Sequence, residues 1–167
     1  MTTIILIAGS PGSGKTTISH ILKERLGNTP MIDFGRLREF HLKPDWSNEN
    51  KKEEQMAFEN LLHILDNYGK HGYEYVIIND LKDERIQNFP DVFSGSFKIF
   101  TLVLDDDVLP RRMKDSTRDS GFTDIEAASK WNKQVKGRDT VMNEFKIDNS
   151  HSDPEKTADE ILSKLSN

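Results

Sequence analysis

Gly9-Ser10-Pro11-Gly12-Ser13-Gly14-Lys15-Thr16 carries the clearest chemistry in this sequence. The pattern is Gly, four residues, Gly, Lys and a hydroxyl residue, a P-loop suited to wrapping a polyphosphate. Its glycines take backbone conformations closed to other residues, so that successive N–H groups can turn inward around an anion. A helix beginning at Lys15 would add the positive end of its dipole to the same place. Lys15 would then reach β- and γ-phosphate oxygens, and the Thr16 hydroxyl would ligate a bridging Mg²⁺. Thr17 offers a second hydroxyl at the helix start. A glycine-rich turn with no ligand would have no use for Lys15.

Other residues could complete a phosphoryl-transfer site. Asp33 stands where it could accept an acceptor's proton or order a metal-bound water, or simply cap the turn before Gly35. Asp80 follows the apolar run Val76-Ile77-Ile78 and Asn79, as a Walker B aspartate would, holding Mg²⁺ directly or through water; its bland alternative is a helix cap. Arg112 and Arg118, with Arg111 beside them, could close over a transferring phosphoryl group, since guanidinium meets such charge with paired hydrogen bonds. At least one of the three is expected to do no more than neutralise the aspartates at 105–107. Arg36 and Arg38 are candidates for an anionic acceptor. Arg138 is a weaker candidate for an adenine or phosphate contact. Asn149, Ser150 and His151 form a polar loop that could edge the adenine. No histidine pair has metal-ligand spacing, and Trp46 and Trp131 read as packing residues.

The elements that must position these residues alternate along the chain. Residues 3–8 form a continuous apolar, β-branched run that suits a strand buried on both faces. Ile18, Ile21, Leu22 and Leu26 then recur at helical spacing up to Gly27. Further strands are expected at 30–34, 73–80, 97–104 and 145–149. A short helix is expected over 35–42, a long one over 49–70, and another over 81–93 interrupted near Pro90. A helix begins after Asp107, and Thr123 with Glu126, then Ser152 with Glu155, suggest capping boxes for two more. Five strands separated by helices imply a mostly parallel sheet with helices on both faces, a three-layer α/β P-loop NTPase fold. Ligands gather at the carboxyl ends of such strands.

The whole chain sets wider bounds. Its 167 residues, 35% hydrophobic and 31% charged, describe a single domain spanning 1–167, with a small lid at about 107–122. A net charge of -5 supplies no general field for nucleic acid or an anionic membrane. With no cysteine there is no disulfide framework, thiolate metal site or cysteine nucleophile. No apolar run is long enough to span a bilayer, and the start lacks a basic signal region. The expected setting is cytoplasmic, as a monomer or homodimer, with no nucleic acid or membrane partner.

In these features the chain resembles the small P-loop kinases: adenylate kinase and its nucleoside monophosphate relatives, shikimate and gluconate kinases, and chloramphenicol phosphotransferase. The likeness rests on Gly9–Thr16, on Asp33, on the 111–118 segment and on Ser152-Asp153-Pro154-Glu155 at the last helix. It implies that the segment bearing Arg112 and Arg118 is a lid over ATP, and that the 149–151 loop contacts the adenine. Asn79-Asp80-Leu81-Lys82 matches neither the Gly-Phe-Pro-Arg signature of adenylate kinases nor the glycine run of shikimate kinases, so the acceptor is unassigned. The resulting expectation is transfer of the γ-phosphoryl group of ATP, or another NTP, with Mg²⁺, to a small-molecule hydroxyl or a nucleoside monophosphate. The alternatives are an NTP-hydrolysing regulatory protein and a non-catalytic nucleotide-binding module. Leu81 after Asp80 gives no water-activating Glu, and Asn132-Lys133-Gln134-Val135 lacks the final Asp of a guanine-reading motif.

Overall fold

The computed structural model describes residues 1–27, 29–40, 51–115 and 121–166. Arg118, Trp46 and the middle of the expected lid lie outside the described residues. Five strands form one sheet in the order β2-β3-β1-β4-β5, and every pairing is parallel. They are β1 (Thr3–Gly9), β2 (Met31–Asp33), β3 (Tyr75–Asn79), β4 (Ser96–Val103) and β5 (Glu144–Asp148). The helices are α1 (Lys15–Arg25), α2 (Phe34–Arg38), α3 (Lys51–Lys70), α4 (Asp83–Val92), α5 (Val108–Met113), α6 (Ile125–Gly137) and α7 (Pro154–Leu165).

The alternation of β1 explains the three layers. Ile4, Leu6 and Ala8 point to one face, where Phe58, Leu61 and Leu65 of α3 and Ile86 and Phe89 of α4 cover them. Ile5 and Ile7 point to the other, under Ile18 and Leu22 of α1 and Ala158 and Ile161 of α7. A strand with neighbours on both faces and both edges must be apolar where it is buried, as this one is from Ile4 to Ala8. Full burial of each such side chain is worth about 1.5–3 kcal/mol.

Three local expectations need correction. The caps of α6 and α7 are Asp124 and Asp153, one residue after the threonine and serine expected, because each carboxylate sits where it can accept a first-turn N–H. Asp124 accepts from Ala127 N at 2.9 Å and Asp153 from Glu155 N at 3.0 Å. Pro90 does not interrupt α4, which continues to Val92. So near the end of the helix, its ring removes only one helical bond, and the last turn closes through Phe93 N to Phe89 O at 3.0 Å. The third strand stops at Asn79, because Asp80 turns into the left-handed region at φ 64°.

Candidate functional site

The P-loop joins the carboxyl end of β1 to the amino end of α1. Gly14 occupies the N-cap position of α1 at φ 100°, a region open to glycine. A Cβ there would lie 2.7 Å from Asn149 Nδ2, so the loop and the segment after β5 are in close contact. Gly12 has φ 81°, and its Cβ would lie 2.9 Å from the sulfur of Met113, so α5 rests directly on the loop. α1 has neither a side-chain cap nor an acidic residue in its first turn. By contrast, Asp124 and Asp153 cap α6 and α7, while α3 and α4 carry first-turn acids. The start of α1 therefore presents its positive dipole end with no side-chain cap and no first-turn carboxylate to compete with an anion. Lys15 lies across the loop, its Nζ donating to Gly9 O and Ser10 O at 3.0 Å each. Thr16 and Thr17 are exposed at the start of the helix.

Register puts Ile7, Asn79 and Asp33 in one row across the ends of β1, β3 and β2. Asp33 caps α2, accepting from Arg36 N at 3.1 Å, so the structural alternative raised from sequence is present. Asp80 is exposed at the mouth of the site yet has protein around most of its carboxyl. That desolvation is the main cause of its raised pKa; Lys15 and Arg38 pull it down, and Asp33 pushes it up. These influences bring Lys15, Asp33, Asp80 and Arg38 together at one end of the sheet. Arg38 Nε is buried with no partner, whereas the Arg36 residue is exposed.

On the opposite side of the P-loop, Arg112 donates from Nη2 to Asn149 O at 2.6 Å and Ser150 O at 3.2 Å. Its acceptors are carbonyls, and burial lowers its pKa. A half-buried guanidinium beside a phosphate-type loop, bonded here to two carbonyls, has charge to offer an anion. Arg111 instead pairs with Asp107 at 2.7 Å on the surface, as expected for at least one of these arginines.

The loop after β5 is built differently from the sequence expectation. The Asn149 side chain donates to Ser13 O at 2.8 Å and accepts from Thr157 Oγ1 of α7 at 2.8 Å. Both ends of the amide are thus taken by protein, and it braces the P-loop. Ser150 Oγ accepts from Asp105 N at 2.8 Å and donates to Asp148 at 2.5 Å, which holds the Asp148 carboxyl below its usual range. His151 is exposed, 3.4 Å from Asp105.

Arg138 is withdrawn from any adenine or phosphate contact. It is fixed between Asp83 at 2.8 Å and Glu144 at 2.7 Å, and these bonds raise its already high pKa. Burial pushes the Glu144 carboxyl up, but hydrogen bonds from Arg138, Thr101 and Val141 N outweigh it and leave the net value low. The sequence pattern alone gives Asn132 no functional role. Buried on α6, it donates to Leu104 O at 2.8 Å and accepts from Leu104 N at 3.0 Å, so it ties that helix to the end of β4. The available signal was an amide in line with Ala128 and Val135 on an apolar stripe.

The donors fit a magnesium ion carried by a nucleotide. Thr16, Asp33 and Asp80 offer hard oxygen ligands, and Mg²⁺ is commonly held by one or two carboxylates together with phosphate oxygens and water. Among the described residues no group of three or more His, Cys, Asp or Glu could hold a metal without that help.

The family described as AAA domain matches residues 5–132, well over half of the sequence, and the chain belongs to that family. No curated protein matches it by sequence. Its fold is shared with a tunicamycin resistance protein of Deinococcus radiodurans, 18% identical, TM-score 0.74, covering 99% of this chain and 96% of that one. It is also shared with a sugar kinase of Janibacter sp. HTCC2649, 17% identical, TM-score 0.72, covering 99% and 95%. A gluconokinase of Sinorhizobium meliloti is 16% identical, with a TM-score of 0.69 over 98% and 91%. The expected likeness to small P-loop kinases is thus borne out in the fold. Among the described residues no helix is long and apolar enough to cross a membrane.

Proposed function

We propose that this member of the AAA domain family is a phosphotransferase, moving the γ-phosphoryl group of ATP or another NTP to a small-molecule acceptor. The observation that carries the reading is the pairing of an uncapped P-loop helix with a separate charged cluster on its acceptor side. The loop N–H groups and Lys15 would hold the β- and γ-phosphates. Arg112 would reach the same phosphates from α5, and Arg118 is assigned to the same lid by sequence alone. Ser150 and His151, and the backbone of Asn149, would border the base.

Thr16, and Asp80 directly or through water, would hold the nucleotide's Mg²⁺, which would supply neutralising positive charge there. Asp33 faces the acceptor together with Asp80. One of these carboxylates takes the acceptor's hydroxyl proton as its oxygen bonds to the γ-phosphorus and the bond to the bridging oxygen breaks, releasing the nucleoside diphosphate. Arg36 and Arg38 favour an acceptor that carries its own negative charge, a sugar acid or a nucleoside monophosphate among them. The surroundings suit such transfer, since positioning and charge stabilisation supply most of its catalysis.

The test is release of ADP from Mg²⁺-ATP against a panel of nucleoside monophosphates, sugar acids, polyols and phenicol- or aminoglycoside-like drugs. Acceptor-dependent release, abolished by Lys15→Ala, is the expected outcome. Acceptor-independent release that vanishes in Lys15→Ala would make the chain a hydrolase. Release no greater than that of Lys15→Ala with every acceptor would leave a nucleotide-binding module.

A further inference from the structure

Buried polar atoms without a partner are uncommon in folded proteins, and each calls for an explanation. Among the described residues such atoms are Oγ of Ser10, Ser13 and Ser19, both amide atoms of Asn79, Nε of Arg38 and Nε1 of Trp131. Three of these side chains belong to the P-loop or α1, and Asn79 ends the strand beside them, so the unmet polarity is concentrated where α1 meets β1 and β3.

Asn79 is the extreme case. It is 2% exposed, and neither its Oδ1 nor its Nδ2 has a partner. Because it pairs in register with Ile7, its side chain shares the face that Ile7 presents to Ile18 and Leu22 of α1. Ser19, four residues after Lys15 and wholly buried, faces the same interface with an unpartnered hydroxyl. Asn79 therefore looks toward the helix that begins with Lys15 and Thr16. Asp80, the next residue, takes the left-handed conformation, and Lys15, Asp33 and Arg38 all act on its carboxyl.

We propose that Asn79 is a positioning residue for the nucleotide's metal, its buried neutral amide orienting the water between α1 and β3 that steadies the ion held at Thr16. This rests on the phosphotransferase reading and adds Asn79 to Asp80 in support of the metal. An amide suits the position because it can both donate and accept, and so can fix a water's orientation. A carboxylate there would add a third negative charge to Asp33 and Asp80, beside a polyphosphate that is itself anionic.

The test is thermal unfolding of the full chain and of Asn79→Leu, Asn79→Ser and Asn79→Asp, each without ligand, with ATP and EDTA, and with ATP and Mg²⁺. Asn79→Leu removes two unpaired polar atoms while keeping the branching of the side chain. The proposal expects its ligand-free Tm to equal or exceed that of the parent and its shift with ATP and EDTA to be unchanged. The extra shift on adding Mg²⁺ should fall by at least half. Asn79→Ser, keeping a donor and an acceptor, should retain part of that extra shift, and Asn79→Asp should weaken the response to ATP with EDTA. A full Mg²⁺-dependent shift in Asn79→Leu would overturn the proposal, and so would a large fall in its ligand-free Tm, which would make Asn79 a fold residue. If the parent protein itself shows no shift with ATP, the phosphotransferase reading fails instead.

Discussion

Replacing Asn149 by Ala tests whether the P-loop is held in shape from the far edge of the sheet. The side chain is 3% exposed and makes two bonds of 2.8 Å, to Ser13 O and from Thr157 Oγ1. Truncation leaves a buried carbonyl and a buried hydroxyl unsatisfied, at about 1–3 kcal/mol each. The hydroxyl can rotate towards another acceptor, so the sum falls at about 2–4 kcal/mol. For a domain of this length each kcal/mol moves Tm by about 2–4 °C, giving a fall of roughly 5–15 °C. Because the lost bond fixes the carbonyl of a P-loop residue, ATP affinity should also drop about tenfold, which is about 1.4 kcal/mol of ligand stabilisation. Asn149→Asp separates the two bonds, since a carboxylate can accept from Thr157 but cannot donate to Ser13. Thermal unfolding with and without Mg²⁺-ATP reads both effects. A Tm within about 2 °C of the parent, with an undiminished ATP shift in both variants, would refute the bracing role.

Further substitutions separate the roles assigned around the loop. Asp33→Ala removes the α2 cap, lowering stability by about 1 kcal/mol, and should reduce kcat by more than it weakens ATP binding; equal losses would mark Asp33 as structural. Asp80→Asn removes a carboxylate whose raised pKa marks its ionised form as disfavoured, so the ligand-free protein should be as stable or more so at pH 7, while turnover falls. Unchanged turnover would remove Asp80 from the reaction. Arg138→Met breaks a buried network and should cost about 3–5 kcal/mol in denaturant unfolding. The Glu144 carboxyl is held low, so its stabilising contribution is complete above its unfolded value, about 4.3, and is lost as pH falls through the lower folded value. That acid-side loss should shrink in Arg138→Met, and an unchanged pH profile would sever the link.

The sequence by itself determined the scaffold and the phosphate cradle. Both are local: β1 is apolar from Ile4 to Ala8 because it is buried on both faces, and Gly12, Gly14 and Lys15 declare their conformations and charge by residue type. The alternation of strands and helices likewise fixed a parallel α/β sheet. Only the tertiary structure decided how the polar residues at its edge are used, because their partners lie far along the chain. Arg138, read as a possible nucleotide contact, is claimed by Asp83, 55 residues earlier, and by Glu144. Asn149 reaches back 136 residues to Ser13 and becomes a brace. Asp80 and its neighbour Asn79 are adjacent in sequence, yet Asn79 is buried against α1 while Asp80, in the left-handed region, is an exposed residue. Residue type states what bond a side chain can make; the fold, by bringing distant donors and acceptors within about 3 Å, selects which bond it makes.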